Sequence, residues 1–312
     1  MTSILPRLTH NIRLAKEWKD AHPLPPEIPA VQQQLPTNII AGLFPFGYNP
    51  SIIRFGERVL VAYRWHENPS WETTMAIAEL DHSGKVIANK KISLVGPAND
   101  DPRLFEHDGG LWVAYVHAIG IGKTTVRYGR LIEGNTWSVE GQTLVKYGHN
   151  DGLSMEKNWV PFQFEKKLHF VYACNSGQVV IEVENDSVIT EHLGVGAKWK
   201  WGECRGGTGP MPYLGKWLRF FHSRIGSRYY VGALLMEPKP PFNVTCVSKR
   251  PILQGSTEDS LTPAVRSSVR HWKGNVVFPA GAIQTKSGWI LSVGINDCQC
   301  GLVTVKESDL NL

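Results

Sequence analysis

The chain has 312 residues, of which 42% are hydrophobic and 20% are charged, so its composition is that of a folded globular protein and excludes a disordered one. Its formal net charge of +5 is a mild excess without a run of five like charges, which argues against nucleic-acid or membrane-surface partners. The 30 glycines and 20 prolines favour short strands joined by turns over long helices. The sequence also has no apolar stretch long enough to span a membrane.

The N-terminus and the cysteines indicate a cytoplasmic protein. Residues 1–7 include no apolar segment of signal-peptide length. The five cysteines are an odd and scattered set, which is not the pattern of a disulfide framework or a zinc site: Cys174, Cys204, Cys246, Cys298 and Cys300.

Residues 1–40 differ from the remainder of the chain. Residues 8–21 have the pattern of one short helix, which the prolines between Pro23 and Pro29 would end. We interpret 1–40 as an N-terminal arm or cap, able to reach a second copy in a homo-oligomer, and 41–312 as one further domain.

Five short apolar segments, each preceded by a turn and followed by another β-type segment, repeat along the remaining chain. They are residues 58–64, 111–117, 168–174, 217–223 and 289–295. An earlier strand-like segment opens each unit, near residues 49, 100, 156, 206 and 276.

This spacing of about 50 residues predicts an all-β fold, a five-bladed β-propeller with three or four strands in each blade. A β-sandwich with coincidental spacing is the alternative. The long last interval predicts an insertion over residues 250–271.

Polar residues lie where the first strands of the blades would meet at one mouth of the central channel. These residues are Asn49, Asp101, Lys157 and Arg205, with His222 and Asp297 at neighbouring strand ends. Buried charges are costly unless paired, so core packing does not explain such a ring. A polar funnel with aromatic residues suits a carbohydrate. The tryptophans considered for stacking on a sugar are Trp65, Trp71, Trp159, Trp199 and Trp201.

The motifs of the five units together resemble glycoside hydrolase family 130, the β-mannoside phosphorylases and hydrolases. They are Asn49-Pro50-Ser51 with Tyr63-Arg64, Asp100-Asp101-Pro102-Arg103, Glu156-Lys157-Asn158-Trp159, Arg205-Gly206-Gly207-Thr208 with Phe221-His222, and Phe278-Pro279 with Asn296-Asp297. The resemblance implies a five-bladed propeller that cleaves β-mannosides with inversion, by phosphate in most members and by water in some.

The resemblance also implies roles for single residues. Asp101 matches the catalytic acid, which in the phosphorylases protonates the leaving oxygen through a sugar hydroxyl. The residues expected to bind the sugar are Asn49, Arg64, Trp159 and Asp297, and those expected to bind phosphate or another anion are Lys157, Arg205 and His222. A glycoside is then the partner, inorganic phosphate a co-substrate, and no metal or other cofactor is expected.

Two departures from the family pattern leave alternatives open. Asp100 replaces a common Glu, and Asn158 replaces a common Asp. A hydrolase would need a second carboxylate to activate water, and four are considered: Asp100, Glu156, Glu203 and Asp297. The other readings are a non-catalytic propeller that binds a glycan or a protein, and a glycosyltransferase on the same scaffold.

Overall fold

The computed structural model describes most of the chain from residue 38 onward. The described residues are 38–66, 72–94, 96, 98–120, 122–148, 150, 155–175, 177–257 and 273–312. They contain 21 β-strands, one short 3₁₀ helix at Glu307–Asp309 and no α-helix. Nothing helical in this part of the chain has the length and apolar content that a bilayer crossing requires.

The strands form five antiparallel units in chain order, and the fold is a five-bladed β-propeller, as the repeat predicts. Blade 1 contains β2 (Tyr48–Phe55), β3 (Arg58–Trp65), β4 (Thr74–Leu80) and β5 (Val86–Ser93). Blade 2 contains β6 (Asn99–His107), β7 (Gly110–Gly120), β8 (Lys123–Glu133) and β9 (Trp137–Leu144). A short parallel pairing between β5 and β9 joins the two blades into one eight-stranded sheet.

Blades 3 and 4 follow with the same order of strands. Blade 3 contains β10 (Val160–Phe164), β11 (Lys167–Cys174), β12 (Gly177–Glu184) and β13 (Ser187–Val195). Blade 4 contains β14 (Met211–Tyr213), β15 (Lys216–Ile225), β16 (Arg228–Met236), β17 (Val244–Val247) and β18 (Leu253–Gln254). β18 pairs with β16, so the start of the predicted insertion belongs to blade 4, and residues 258–271 of it lie outside the described residues.

Blade 5 combines strands from both ends of the described chain. It contains β19 (Val277–Thr285), β20 (Gly288–Ile295), β21 (Gln299–Lys306) and, as its outermost strand, β1 (Asn38–Ile39). The propeller therefore includes residues 38–40, which precede the predicted boundary at 41. The rest of the predicted arm, residues 1–37, lies outside the described residues.

The second strand of a blade is apolar on both faces because each blade packs between two others. In β3, Leu60 and Ala62 belong to a core shared with blade 2. The intervening Val61 and Tyr63 belong to a different core, which includes Ile283 of blade 5. Alternate side chains of one strand thus contact opposite neighbours, which closes the ring and explains why these segments lack a polar face.

Candidate active site

A left-handed backbone conformation recurs where the chain enters the first strand of four blades. The φ angles are 51° at Asn49, 49° at Asp101, 68° at Asn158 and 37° at Gly206. Asn, Asp and Gly are the residues that adopt this conformation most readily. Asn158 therefore meets the same backbone requirement as the Asp of the family pattern, while removing one negative charge.

These four positions meet at one end of the propeller. The Asn49 amide donates a hydrogen bond of 2.7 Å to Oδ1 of Asp101, which links blade 1 to blade 2. A Cβ at Gly206 would lie 3.0 Å from the Cβ of Asn158 and 2.9 Å from Nη2 of Arg103. Blades 2, 3 and 4 thus approach one another at a residue without a side chain.

Asp101 belongs to a network of charges around Arg64, the penultimate residue of β3. Nη1 of Arg64 lies 2.9 Å from Oδ2 of Asp100 and 3.5 Å from Oδ1 of Asp101. The Thr73 hydroxyl donates to the other oxygen of Asp100 at 2.5 Å. On its other side, the Arg64 guanidinium lies 4.0 Å from the centre of the Tyr48 ring.

Asp297 completes the cluster from blade 5. It follows β20 in a left-handed conformation with φ of 52°. Burial raises its pKa, Arg64 opposes this rise, and the Asp101 charge adds to it. The sugar-binding candidates Arg64 and Asp297 and the acid candidate Asp101 thus act on one another in a single cluster of charges.

The pKa values of the Asp101 and Asp297 carboxyl groups are shifted in opposite directions. Burial alone would raise the pKa of Asp101, but the Arg64 guanidinium and the Asn49 hydrogen bond hold it below the ordinary value for an aspartate. Asp297 is shifted in the opposite direction, mainly by burial. The surroundings thus favour the charged form of Asp101 and disfavour the charged form of Asp297.

His222 and Arg103 are buried beside this cluster. Burial and then the charges of Arg103 and Arg205 lower the pKa of His222 well below its ordinary value, so the imidazole is neutral at pH 7. Its ring stacks on Tyr229, with ring centres 5.9 Å apart. Arg103 donates to the carbonyl of Gly207.

Lys157 and Arg205 line a cavity of about 300 Å³ between blades 3 and 4. Nη2 of Arg205 lies 2.7 Å from a carboxylate oxygen of Glu203. Lys157 is exposed, and its charge also acts on Asp101 and His222. The three predicted anion-binding residues are therefore neighbours, and Lys157 lies between this cavity and the carboxylate cluster.

Trp159 occupies a different environment from the one predicted. Its indole is 2% exposed and donates to Oε2 of Glu156 at 3.0 Å. Its ring packs edge-on against Tyr147, Phe170 and Tyr172. The side chain thus packs inside blade 3 and presents no face to a ligand in this structure. Trp71, another stacking candidate, lies outside the described residues.

Sequence reasoning missed several residues that build the pocket. Tyr48 and Thr73 contact Arg64 and Asp100, and neither has a pattern that signals this role. Arg103 stands in the Asp-Asp-Pro-Arg motif, which was the available signal. Arg219 is fully buried in β15, where its guanidinium donates to the Gly206 carbonyl at 3.1 Å and so supports the glycine turn.

Known proteins resemble this chain in structure and not in sequence. No family model matches it, and no curated protein sequence is significantly similar. A β-1,2-mannobiose phosphorylase from Listeria innocua has a TM-score of 0.61 at 15% identity, over 89% of this chain and 93% of that chain.

Two further structures give the same result. One is a structure from the GH130 family, with a TM-score of 0.62 at 13% identity over 85% of this chain and 86% of that chain. That family is described as mannoside phosphorylases that include hydrolases of β-1,2-mannosidic linkages in Candida mannan. A glycosyl hydrolase from Bacteroides ovatus has a TM-score of 0.61 at 13% identity, over 86% of each chain. The fold is therefore the propeller fold of these enzymes, as the motif resemblance predicts.

Proposed function

We propose that the protein is a carbohydrate-active enzyme that cleaves a β-linked glycoside by phosphorolysis with inversion. A β-mannoside is the substrate and Asp101 is the proton donor. The observation that carries the proposal is a set of buried polar atoms around Asp101 that have no hydrogen-bond partner among the described protein atoms. They are Oδ1 of Asn49, Nε of Arg64, Nη2 of Arg103 and Nδ1 of His222.

Such atoms need an explanation, since nearly all buried polar groups in proteins are hydrogen-bonded. A sugar offers several hydroxyl groups, each of which donates and accepts. Guanidinium donors beside an amide oxygen and a neutral imidazole match that chemistry. Hydroxyl and anionic oxygens are the partners that such atoms lack.

The carboxylates support phosphate over water as the attacking group. An inverting hydrolase needs a free carboxylate as general base opposite its acid. Asp100 is held by Arg64 and Thr73. Asp297 is engaged as well, because its buried carboxyl group interacts with the charges of Arg64 and Asp101.

The other two candidate bases are also engaged. Glu156 accepts hydrogen bonds from Trp159 and Tyr172. Glu203 is paired with Arg205 and accepts from the Asn175 amide. Phosphate needs no protein base, and it needs cations to bind it. Lys157 and Arg205 are cations that line the adjoining cavity, and the charge of Lys157 also acts on Asp101 and Asp297.

Proton donation by Asp101 depends on a bound anion. In the free site Asp101 is ionised, because Arg64 keeps its pKa low. A phosphate dianion beside Lys157 would raise that pKa, since a neighbouring negative charge disfavours a second one. Phosphate binding thus favours the protonated form of Asp101, which is the form that can donate a proton to the leaving oxygen.

The proposed reaction balances with two bond changes at the anomeric carbon. A phosphate oxygen forms a bond to C1 from the face opposite the leaving group, and the bond from C1 to the glycosidic oxygen breaks. The proton of Asp101 passes to that oxygen through a sugar hydroxyl, as the resemblance to the phosphorylases implies. The products are an α-sugar 1-phosphate and the released sugar.

The choice of mannose is supported by two of the similar structures, which act on β-mannosides by their own descriptions. The test incubates the full chain with β-linked manno-, gluco- and galacto-disaccharides, with and without phosphate. We expect mannose 1-phosphate only when phosphate and a β-mannoside are both present. Release of free mannose in the absence of phosphate would show that the enzyme is a hydrolase and not a phosphorylase. Turnover of a sugar nucleotide instead would favour a glycosyltransferase.

A matched pair of variants separates catalysis from binding. Asp101→Asn removes the acid and should lower kcat by about 10²–10⁴-fold, the usual contribution of a general acid. Asp108→Asn is the control, because Asp108 is exposed in the next turn and has a φ of 48°, close to that of Asp101. No turnover by the wild type, with glycan binding unchanged in Asp101→Asn, would establish a non-catalytic binder.

A further inference from the structure

Three potential metal ligands meet on one face of blade 3, away from the mouth residues. His169 on β11 is the direct cross-strand partner of Glu182 on β12. His192 on β13 is opposite Val180, two residues from Glu182 and so on the same face of the sheet. One ligand atom from each of these three residues lies within 4.8 Å of the other two.

The distances are close to those of a coordinated ion. Ligands about 2.1 Å from a zinc ion at the corners of a tetrahedron are roughly 3.4 Å apart. Nε2 of His169 lies 3.8 Å from Oε2 of Glu182. Small side-chain rotations, without a backbone change, would bring the three groups onto one ion.

The hydrogen bond at the other nitrogen of His169 fixes the ring for this role. Nδ1 of His169 lies 3.2 Å from the carbonyl oxygen of Lys167. Because a carbonyl only accepts, Nδ1 carries the proton. In this tautomer Nε2 has the lone pair, and it lies 3.8 Å from Oε2 of Glu182. Metal-binding histidines typically have such a bond from the second ring nitrogen to a carbonyl or carboxylate.

A cation between the Nε2 lone pair and the carboxylate would attract both groups. His169 is 1% exposed, so water cannot readily separate the two groups. Lys167 supplies one charge, with Nζ 2.7 Å from Oε1 of Glu182, but this is the other carboxylate oxygen. Oε2 is left for a second cation, in a monodentate arrangement.

Aromatic rings cover the cluster on the side of blade 4. Phe162 stacks on His169 with ring centres 5.3 Å apart, and Phe242 lies 5.9 Å from His169 and 5.4 Å from His192. An apolar cover of this kind limits water access and holds imidazole rings in place.

We propose that His169, Glu182 and His192 bind one divalent transition-metal ion, zinc being the best match, which clamps β11, β12 and β13 together. Two imidazoles and one carboxylate are a zinc ligand set that leaves the fourth position for water. The proposed site belongs to blade 3 and is independent of the glycoside chemistry at Asp101.

The test uses the full chain without an affinity tag, stripped with a chelator and titrated with Zn²⁺ by calorimetry, and with Co²⁺ by visible absorption. Mg²⁺, which prefers oxygen ligands, is the negative ion control. Wild type should show a Zn²⁺ site whose affinity falls by about 10-fold or more in His192→Gln and in Glu182→Gln. His82→Gln, at an exposed turn of blade 1, should leave that site unchanged.

Thermal unfolding of the metal-free proteins checks that each variant folds. Because His192 is only partly buried, we expect His192→Gln to fold. If Glu182→Gln does not fold, the zinc affinity of His192→Gln alone tests the proposal. Bound zinc should also raise the melting temperature of the wild type and of His82→Gln, and not that of His192→Gln. Failure of the wild type to bind zinc, or equal zinc affinity in wild type and His192→Gln, would overturn the proposal.

Discussion

Replacing Arg64 with Met should destabilise the protein far more than the same change at Arg58, another arginine on β3. Met keeps the aliphatic stem that packs near Tyr48 and removes the charge. Two carboxylates, Asp100 and Asp101, then lose a partner at 2.9 Å and 3.5 Å. The side chains of Arg64, Asp100 and Asp101 are 14%, 24% and 16% exposed, so water compensates only in part.

The expected loss follows from this burial. Breaking a buried ion pair costs about 3–5 kcal/mol, and partial exposure places Arg64→Met near the lower end, at about 3 kcal/mol. Arg58 bridges Glu79 and Glu133, but its side chain is 35% exposed. Exposed pairs contribute about 0–1 kcal/mol each, so Arg58→Met should cost about 1 kcal/mol.

The penalty at Arg64 should also depend on pH. Arg64 helps to hold the pKa of Asp101 in the folded protein below its ordinary value. The stabilisation of the folded state by this pair is therefore fully present above about pH 4, the pKa of an Asp in the unfolded chain. It is lost as the pH falls through the lower pKa of the folded state. Urea unfolding at pH 7 and at successively lower pH measures the difference between the wild type and each variant. Equal penalties for Arg64→Met and Arg58→Met at pH 7, or an Arg64 penalty that does not shrink on acidification, would refute the reasoning.

Three further predictions concern packing and protonation. Gly207→Ala should lower the free energy of unfolding by about 3 kcal/mol or more, because the added Cβ would lie 1.8 Å from the Phe220 carbonyl oxygen at a φ of 104°. The control Gly215→Ala, at an open position with a φ of 72°, should lower it by about 1–2 kcal/mol, and equal losses in urea unfolding would contradict this. His222 should stay neutral by NMR at and somewhat below pH 6.5, and a midpoint near 6.5 would contradict its burial beside cations. Trp159→Phe should cost about 1–3 kcal/mol in stability and leave KM for the glycoside unchanged, whereas a raised KM with intact stability would restore the sugar-stacking role.

The fold could be predicted from the sequence because its signals are local and repeat five times. Each predicted apolar segment is the second strand of a blade, from 58–64 in β3 to 289–295 in β20. Burial between two neighbours imposes the same two-sided apolar pattern on every copy. The contribution of β1 to blade 5 could not be predicted in this way, because a strand of two residues has no period of its own.

The mouth residues were predictable to the extent that backbone position determines them. Asn49 and Asp101 share a motif position, and the structure places them within hydrogen-bond distance. Trp159 comes directly after the left-handed residue Asn158, and its ring packs into the blade. Sequence alone does not distinguish a ring that faces the pocket from one that faces the core, since adjacent residues point in opposite directions. Arg219 was missed because a buried arginine in an apolar strand has no motif.

The most direct test of the proposed function is the anomeric form of the product. The full chain is incubated with a β-linked mannobiose in phosphate buffer, and the sugar phosphate is analysed by proton and phosphorus NMR as it forms. Inverting attack by phosphate at the Asp101 site predicts α-mannose 1-phosphate as the first product, with one equivalent of free mannose. Formation of β-mannose 1-phosphate, or of no sugar phosphate at all, would contradict it.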